Sequence, residues 1–196
     1  MDGMSKRQRC PWAEGEDELM RAYHDCEWGT PLHDDRALFE LMCLEGAQAG
    51  LSWRTVLHKR EHYREAFHHF DIERVARMSD ATLEKRLCDP GLIRNRRKMT
   101  AIRGNASAAL RLIDWHGSLD AALWARVGGK SIRNRRRVPS EIPTQTGPSE
   151  RMSASLREAG FRFVGPTICY AFMQASGMVN DHLLGCFRHA ELARSV

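Results

Sequence analysis

An all-α fold is what this sequence predicts, on three observations. Apolar residues recur at helical spacing through most of the chain, no segment alternates convincingly as a strand would, and the periodic stretches open after Ser or Asp and stop at Gly or Pro. In chain order, the first helix is "DDRALFELMCLEG", with Asp34 and Asp35 as candidate caps. It is apolar nearly all round from Ala37 to Leu44, which marks a helix buried on most sides. Ser52 caps the next, "WRTVLHKREHYREAFHHF", in which Val56, Tyr63 and Phe67 recur with charge between them. Asp71 caps "IERVARM". Ser79 or Asp80 caps "ATLEKRLC", which stops at "DPG" because proline drives the residue before it out of helical geometry. A long helix follows from about Arg94 to Trp115, then a short one, "SLDAALWARV", capped by Ser118. Residues 128–148, "GGKSIRNRRRVPSEIPTQTGP", have glycines, prolines and a basic cluster but no period, and read as a long, mobile loop. Helix returns at "SERMSASLREAG" and at "PTICYAFMQASG", where Pro166 suits the first helical position and Gly177 a C-terminal cap.

With 196 residues, 42% of them hydrophobic, the chain can bury the core of one compact unit. The formal charge is +5, and Lys is confined to Lys6, Lys59, Lys85, Lys98 and Lys130, so nearly all the positive charge is Arg. That composition suits a phosphate-bearing partner, because guanidinium grips phosphate in a bidentate fork, and it equally suits a solvated surface. The opening "MDGMSKRQRC" has no apolar signal core, and no apolar run approaches the ~20 residues of a membrane span, so no membrane partner and a place inside the cell are expected. Six cysteines in a reducing compartment are then buried hydrophobes or metal thiolates.

Three groups of residues carry chemistry. In "NDHLLGC", His182 and Cys186 lie four apart and on a helical turn would project from one face; Cys10 and His24 complete a Cys2His2 set of the kind structural zinc prefers. Scattered Cys and His are also common packing residues, so spacing alone leaves both readings standing. Asp181 or Asp25 is a candidate to orient a ligand imidazole, while Cys26, Cys43, Cys88 and Cys169 read as core thiols. In "LCDPGLIRNRRKMTAI", a Pro-Gly turn at Gly91 joins two helices, and the second opens among Arg94, Arg96, Arg97 and Lys98. Free N–H groups at that helix start, with the positive dipole end, suit a nucleic-acid phosphate; an ordinary charged corner is the plain alternative. The cluster Arg133 to Arg137 has the charge to track phosphates, and a solvated loop is the preferred reading.

The third group surrounds Glu45. Leu38, Met42, Glu45 and Ala49 share one helix face, so a carboxylate points where an apolar side chain belongs. Such a group persists only if paired, in a wet cavity, or protonated. Gly46, Ala47, Ala49 and Gly50 leave room beside it, and Trp53 and Tyr23 supply flat apolar rings, which suits a planar hydrogen-bonding ligand such as a nucleobase. The competing reading puts Glu45 on backbone donors and Trp53 in the core.

Taken in order, "RCPW", "AYHDCEWG", "LEGAQAGLSWRTVL", "LIRNRRK", "SEIPT" and "FVGPTICYAFMQASGMVNDHLLGC" closely resemble the DNA-3-methyladenine glycosylase I family of bacterial base-excision repair, over about Arg9 to Cys186. The resemblance implies a helix-hairpin-helix glycosylase bundle: a single domain over 9–190 of two packed helical lobes, a zinc lobe from about 9–35 and 150–190 and a hairpin lobe from about 36–127. It implies one structural Zn2+ per chain on Cys10, His24, His182 and Cys186. It implies that Tyr23 and Trp53 sandwich the excised base while Glu45 reads its edge, and that Trp12 packs beneath the zinc lobe. Catalysis would rest on Glu45, and Gly91, Arg94, Arg96, Arg97 and Lys98 would hold DNA. The expected partners are alkylated double-stranded DNA and free 3-methyladenine as product, with a monomeric, cytoplasmic, nucleoid-associated enzyme that has no lyase step. Met20 departs from the family, which has a tyrosine there, and puts the selectivity among alkylated bases in doubt. The alternatives are a non-catalytic zinc-stabilised DNA-binding protein and a hydrolase with catalytic zinc, which four protein ligands would disfavour.

Overall fold

Side-chain caps start most of the helices, as local chemistry demands; those that open at Arg60 and at Pro166 begin without one. The computed structural model describes residues 7–194, so the first six residues of the segment without a signal core lie outside it. Asp17 accepts from the amides of Leu19 and Met20 and opens α1 (Glu18–Cys26), a helix the periodicity analysis did not pick out because charge dominates it. Asp34 caps α2 (Asp35–Gln48). Asp35 instead reaches across and takes the amides of Leu119 and Asp120 at 3.0 and 2.8 Å, bracing a helix far along the chain. Ser52 caps α3 (Trp53–Leu57), but the single helix expected from there breaks at His58–Lys59 into α4 (Arg60–Ala66) and a tight turn. In that turn His68, His69 and Phe70 all hold positive φ, 54°, 51° and 56°. Left-handed backbone costs each about 1–2 kcal/mol, offset by full burial of Phe67 and Phe70 in the core.

Asp71 and Ser79 cap α5 (Ile72–Ala76) and α6 (Asp80–Leu87). After the Pro-Gly turn, Asn95 caps α7 (Arg96–His116), and Ser118 caps α8 (Leu119–Trp124). Each such cap contributes roughly 1 kcal/mol. The segment expected to be a mobile loop is instead tied down. Its residues β1 (Ile132–Arg133) pair in parallel with β2 (Val179–Asn180), and Asn134 and Ser131 are hydrogen-bonded to Asp181 and the Gly177 carbonyl. Thr146 then opens α9 (Gly147–Glu158) with a capping box, followed by α10 (Pro166–Ala175) and α11 (Phe187–Arg194). Gly177, at φ 73°, turns the chain after α10 where a Cβ would lie 2.4 Å from the backbone of residues 30–31; only glycine fits.

The main core is one continuous apolar cluster. Helix α2 runs through it, packed on α10, α7, α8 and α3, while α7 also carries α5 and α6. A small second cluster, Cys10, Leu183 and Cys186, joins the two ends of the described chain. Cys43 and Cys169 are core thiols as expected, whereas Cys26 and Cys88 are exposed: Cys26 ends α1 and Cys88 begins the hairpin turn, where no second layer covers them. Among the described residues no helix is long and apolar enough to cross a membrane.

Candidate active site and metal centre

Cys10, His24, His182 and Cys186 converge, fully buried, with their ligand atoms all within 4.8 Å of one another. The sulfur of Cys186 lies 3.4 Å from Nε2 of His24 and 3.5 Å from Nδ1 of His182, and that of Cys10 lies 3.6 Å from the same Nδ1. A tetrahedral ion with ordinary Zn–S and Zn–N bonds requires S···N edges of about 3.6 Å, so the spacing fits. The tautomers fit too. Nδ1 of His24 donates to Asp25 at 2.8 Å, which leaves Nε2 as ligand; Nε2 of His182 donates to the Trp28 carbonyl at 3.0 Å, which leaves Nδ1. Arg9 in turn forks onto Asp25 at 2.7–3.0 Å. Of the two aspartates considered for this role, Asp25 therefore takes it and Asp181 does not, its oxygens being engaged by Asn134, Tyr170 and Gln174.

His182 and Cys186 do not share a regular helix. They meet through the turn before α11, and Gly29 makes space for the imidazole, since a Cβ there would stand 2.9 Å from His182 Nε2. The two thiols compete for one proton: the hydrogen bond with Cys10 holds Cys186 far below the usual thiol range, and the same bond with burial pushes Cys10 up. These four residues form a group that can hold a metal ion.

Beside this cluster lies a cavity of about 230 Å³ walled by Trp12, Tyr23, Trp28 and Trp53, with Glu45, Gln48, Gln174 and Met20 reaching it. Glu45 is 3% exposed, and its Oε2 has no hydrogen-bond partner. The reading that placed it on main-chain donors is thereby excluded. Burial pushes its carboxyl up to about 8, so on its own it keeps a proton at neutral pH, and a cation within reach would favour the ionised form. The Trp53 Nε1 is likewise buried without an acceptor. Two residues that line one small cavity each carry an orphaned polar atom, which marks a place for a polar ligand.

Tyr23 and Trp53 are not spaced as two plates around a gap. Their rings touch, centroids 5.2 Å apart and tilted by 41°, whereas a base between them needs about 7 Å, twice a van der Waals contact. They form one continuous wall. Trp12 is half-exposed at the rim and packs edge-on against both His24 and Trp28, at 5.1 and 5.2 Å, so it belongs to the cavity and to the metal cluster at once.

The hairpin between α6 and α7 presents Arg94, Arg96 and Arg97 to solvent, with Arg96 paired to Glu84. Gly91 gives its amide to Asp89 at 2.7 Å and lies under the His62 ring, where a Cβ would collide at 2.2 Å. Lys98 corrects the expectation for it: it is 8% exposed and turned inward, with Nζ 2.8 and 2.6 Å from the carbonyls of Ala47 and Ala49. The end of α2 leaves those carbonyls without intrahelical donors, and the ammonium supplies them. Arg96 and Arg97 with Arg103 and Arg162 line an open groove of about 750 Å³.

The model of the methyladenine glycosylase family matches residues 12–189. The chain belongs to the methyladenine glycosylase family. Within that family it is 49% identical over 179 residues to DNA-3-methyladenine glycosylase 1 of Escherichia coli, covering 91% of this chain and 95% of the relative. A crystal structure of 3-methyladenine DNA glycosylase I superposes with a TM-score of 0.87 at 49% identity, covering 92% and 98% of the two chains. A second family structure, from Staphylococcus aureus and described as the structural basis of 3-methyladenine recognition, superposes with a TM-score of 0.86 at 36% identity, covering 88% and 92%. Trp28, Gln48 and Gln174 are cavity residues that sequence reasoning missed. They arrive from α1's end, α2 and α10, and no local pattern links them.

Proposed function

We propose that this chain excises 3-methyladenine from alkylated double-stranded DNA by hydrolysing the N-glycosidic bond, as a monofunctional enzyme of base-excision repair. The observation that carries the reading is the buried, unpartnered Glu45 carboxyl at a cavity with aromatic walls. The damaged nucleotide leaves the duplex at an unstacking cost of a few kcal/mol. Methylation at N3 makes adenine cationic, hence already a good leaving group. The base stacks on the wall formed by Tyr23 and Trp53, and Glu45, the catalytic residue, accepts from its N–H edge and stabilises its charge. As the bond from the sugar carbon to the base breaks, its electron pair neutralises the purine; water adds to that carbon and loses a proton.

Cys10, His24, His182 and Cys186 hold one structural zinc, which supplies no reaction chemistry because four protein ligands close its sphere. Its work is to join the two chain ends behind Trp12. The hairpin acts as a helix-hairpin-helix element: the free amides of Arg96 and Arg97 at the start of α7, with the Gly91 turn and Arg94, Arg96 and Arg97, receive DNA phosphates. The domain organisation is a single unit of a zinc lobe and a hairpin lobe, working as a cytoplasmic, nucleoid-associated monomer. Relatives that are bacterial DNA glycosylases support that setting. The test is incubation with methylated duplex DNA. Free 3-methyladenine in the supernatant is the expected product, and DNA binding with no base released under any condition would make this a binding protein instead.

A further inference from the structure

Gln174 reaches the cavity from α10, and its orientation is set from behind. Its Nε2 lies 2.8 Å from Oδ2 of Asp181, a carboxylate with no solvent exposure. Asp181 also accepts from the Tyr170 hydroxyl at 2.5 Å and from Asn134 Nδ2 at 2.7 Å. Three donors converge on a group that serves only as acceptor, so the end of the Gln174 amide that meets it must be the NH2. Turning the amide over would set its carbonyl oxygen against a carboxylate oxygen. The end left to the cavity is therefore Oε1.

We propose that Gln174 Oε1 is a fixed hydrogen-bond acceptor that reads the six-position of the flipped purine, favouring an adenine ring over a guanine ring, and that Asp181 is the positioning residue that fixes it. The inference rests on the base-excision reading above. Adenine has an amino donor at that position and guanine a carbonyl acceptor, so a fixed acceptor pairs with the first and opposes the second. Met20, which also lines the cavity, has no hydroxyl to contribute.

The test uses duplex DNA containing both 3-methyladenine and 3-methylguanine, two purines made cationic at the same ring nitrogen. Release of each is measured for the wild-type chain, Gln174→Met and Asp181→Asn. In Gln174→Met the acceptor is gone at nearly constant volume. In Asp181→Asn the new amide can present oxygen or nitrogen, so Gln174 is free to turn over. Both variants are expected to lower the ratio of released 3-methyladenine to 3-methylguanine by about tenfold, the effect of one buried polar mismatch. An unchanged ratio, with both rates lowered together or neither, would overturn the proposal. Should Asp181→Asn not fold, Gln174→Met, at a partly exposed helix position, decides alone. A wild-type chain that frees neither purine would instead overturn the base-excision reading and this inference with it.

Discussion

Glu45→Gln should make the protein more stable, and by an amount that grows with pH. The native carboxyl has no partner for Oε2 and titrates at about 8, against 4.5 for an unburied glutamate, with burial as the cause. Between those values the native state holds a proton that the unfolded chain has released. Stability therefore falls as pH rises through that window, by at most about 1.4 kcal/mol per pH unit. The accumulated loss is roughly 3 kcal/mol at pH 7 and on the order of 5 kcal/mol once pH passes the native value. Glutamine has nearly the same shape and never ionises, so it removes the loss. Thermal unfolding of both proteins at pH 5, 7 and 8.5 reads the difference, in which every other titrating group cancels. Near pH 5 the two should melt together. By pH 7 the variant should melt about 5–10 °C higher, taking ~2–4 °C per kcal/mol for a domain of this size. A difference that stays constant across the window would refute the reasoning, because it would mean that Glu45 ionises alike in the folded and unfolded chain.

Other perturbations separate the parts of the site. Trp53→Ala should cut base release by about 10- to 100-fold, the worth of one stacked base, with circular dichroism unchanged. Cys10→Ser should bring the zinc content from about one per chain to near zero by elemental analysis, and lower the melting temperature by roughly 10 °C or more. Lys98→Met leaves two carbonyls at the end of α2 without donors and should cost about 1–3 kcal/mol in urea unfolding, while leaving the salt dependence of duplex binding as it was. Arg97→Ala should do the reverse, lowering the slope of log affinity against log salt by about 1 with stability unchanged.

What could be read from the sequence was local chemistry. The caps Asp34, Ser52, Asp71, Ser79 and Ser118 each act within three residues, so composition and order suffice to find them. Glu45 stood out because one helix face sets the rule it breaks. Helix α1 was missed since its apolar positions are few, although Asp17 followed by Met20 and Tyr23 at helical spacing was the available signal. The β1–β2 pair has two residues per strand, too short to alternate, and joins segments far apart. Direction is the other thing a sequence hides: Lys98 sits among arginines in the chain yet points the opposite way. The contact of Tyr23 with Trp53 shows the same gap, for residue types announce a ring-rich pocket without its spacing.

Lys98 and Glu45 together explain how the two halves of the proposed reaction are held in register. Helix α2 ends beside the cavity, and a helix C-terminus carries partial negative charge that would repel a carboxylate nearby. Lys98 offsets that charge by donating to the Ala47 and Ala49 carbonyls, and Gly50, at φ 75°, turns the chain so that Ser52 can start α3 with Trp53 as its first residue. The lysine belongs to the first turn of α7, whose N-terminus would receive the phosphates in the proposed function. One ammonium thus clamps the helix that would hold the DNA backbone to the helix end that presents Glu45 and Trp53. In the proposed reaction a duplex seated on the hairpin would have its extruded base placed by helices that this ammonium ties together.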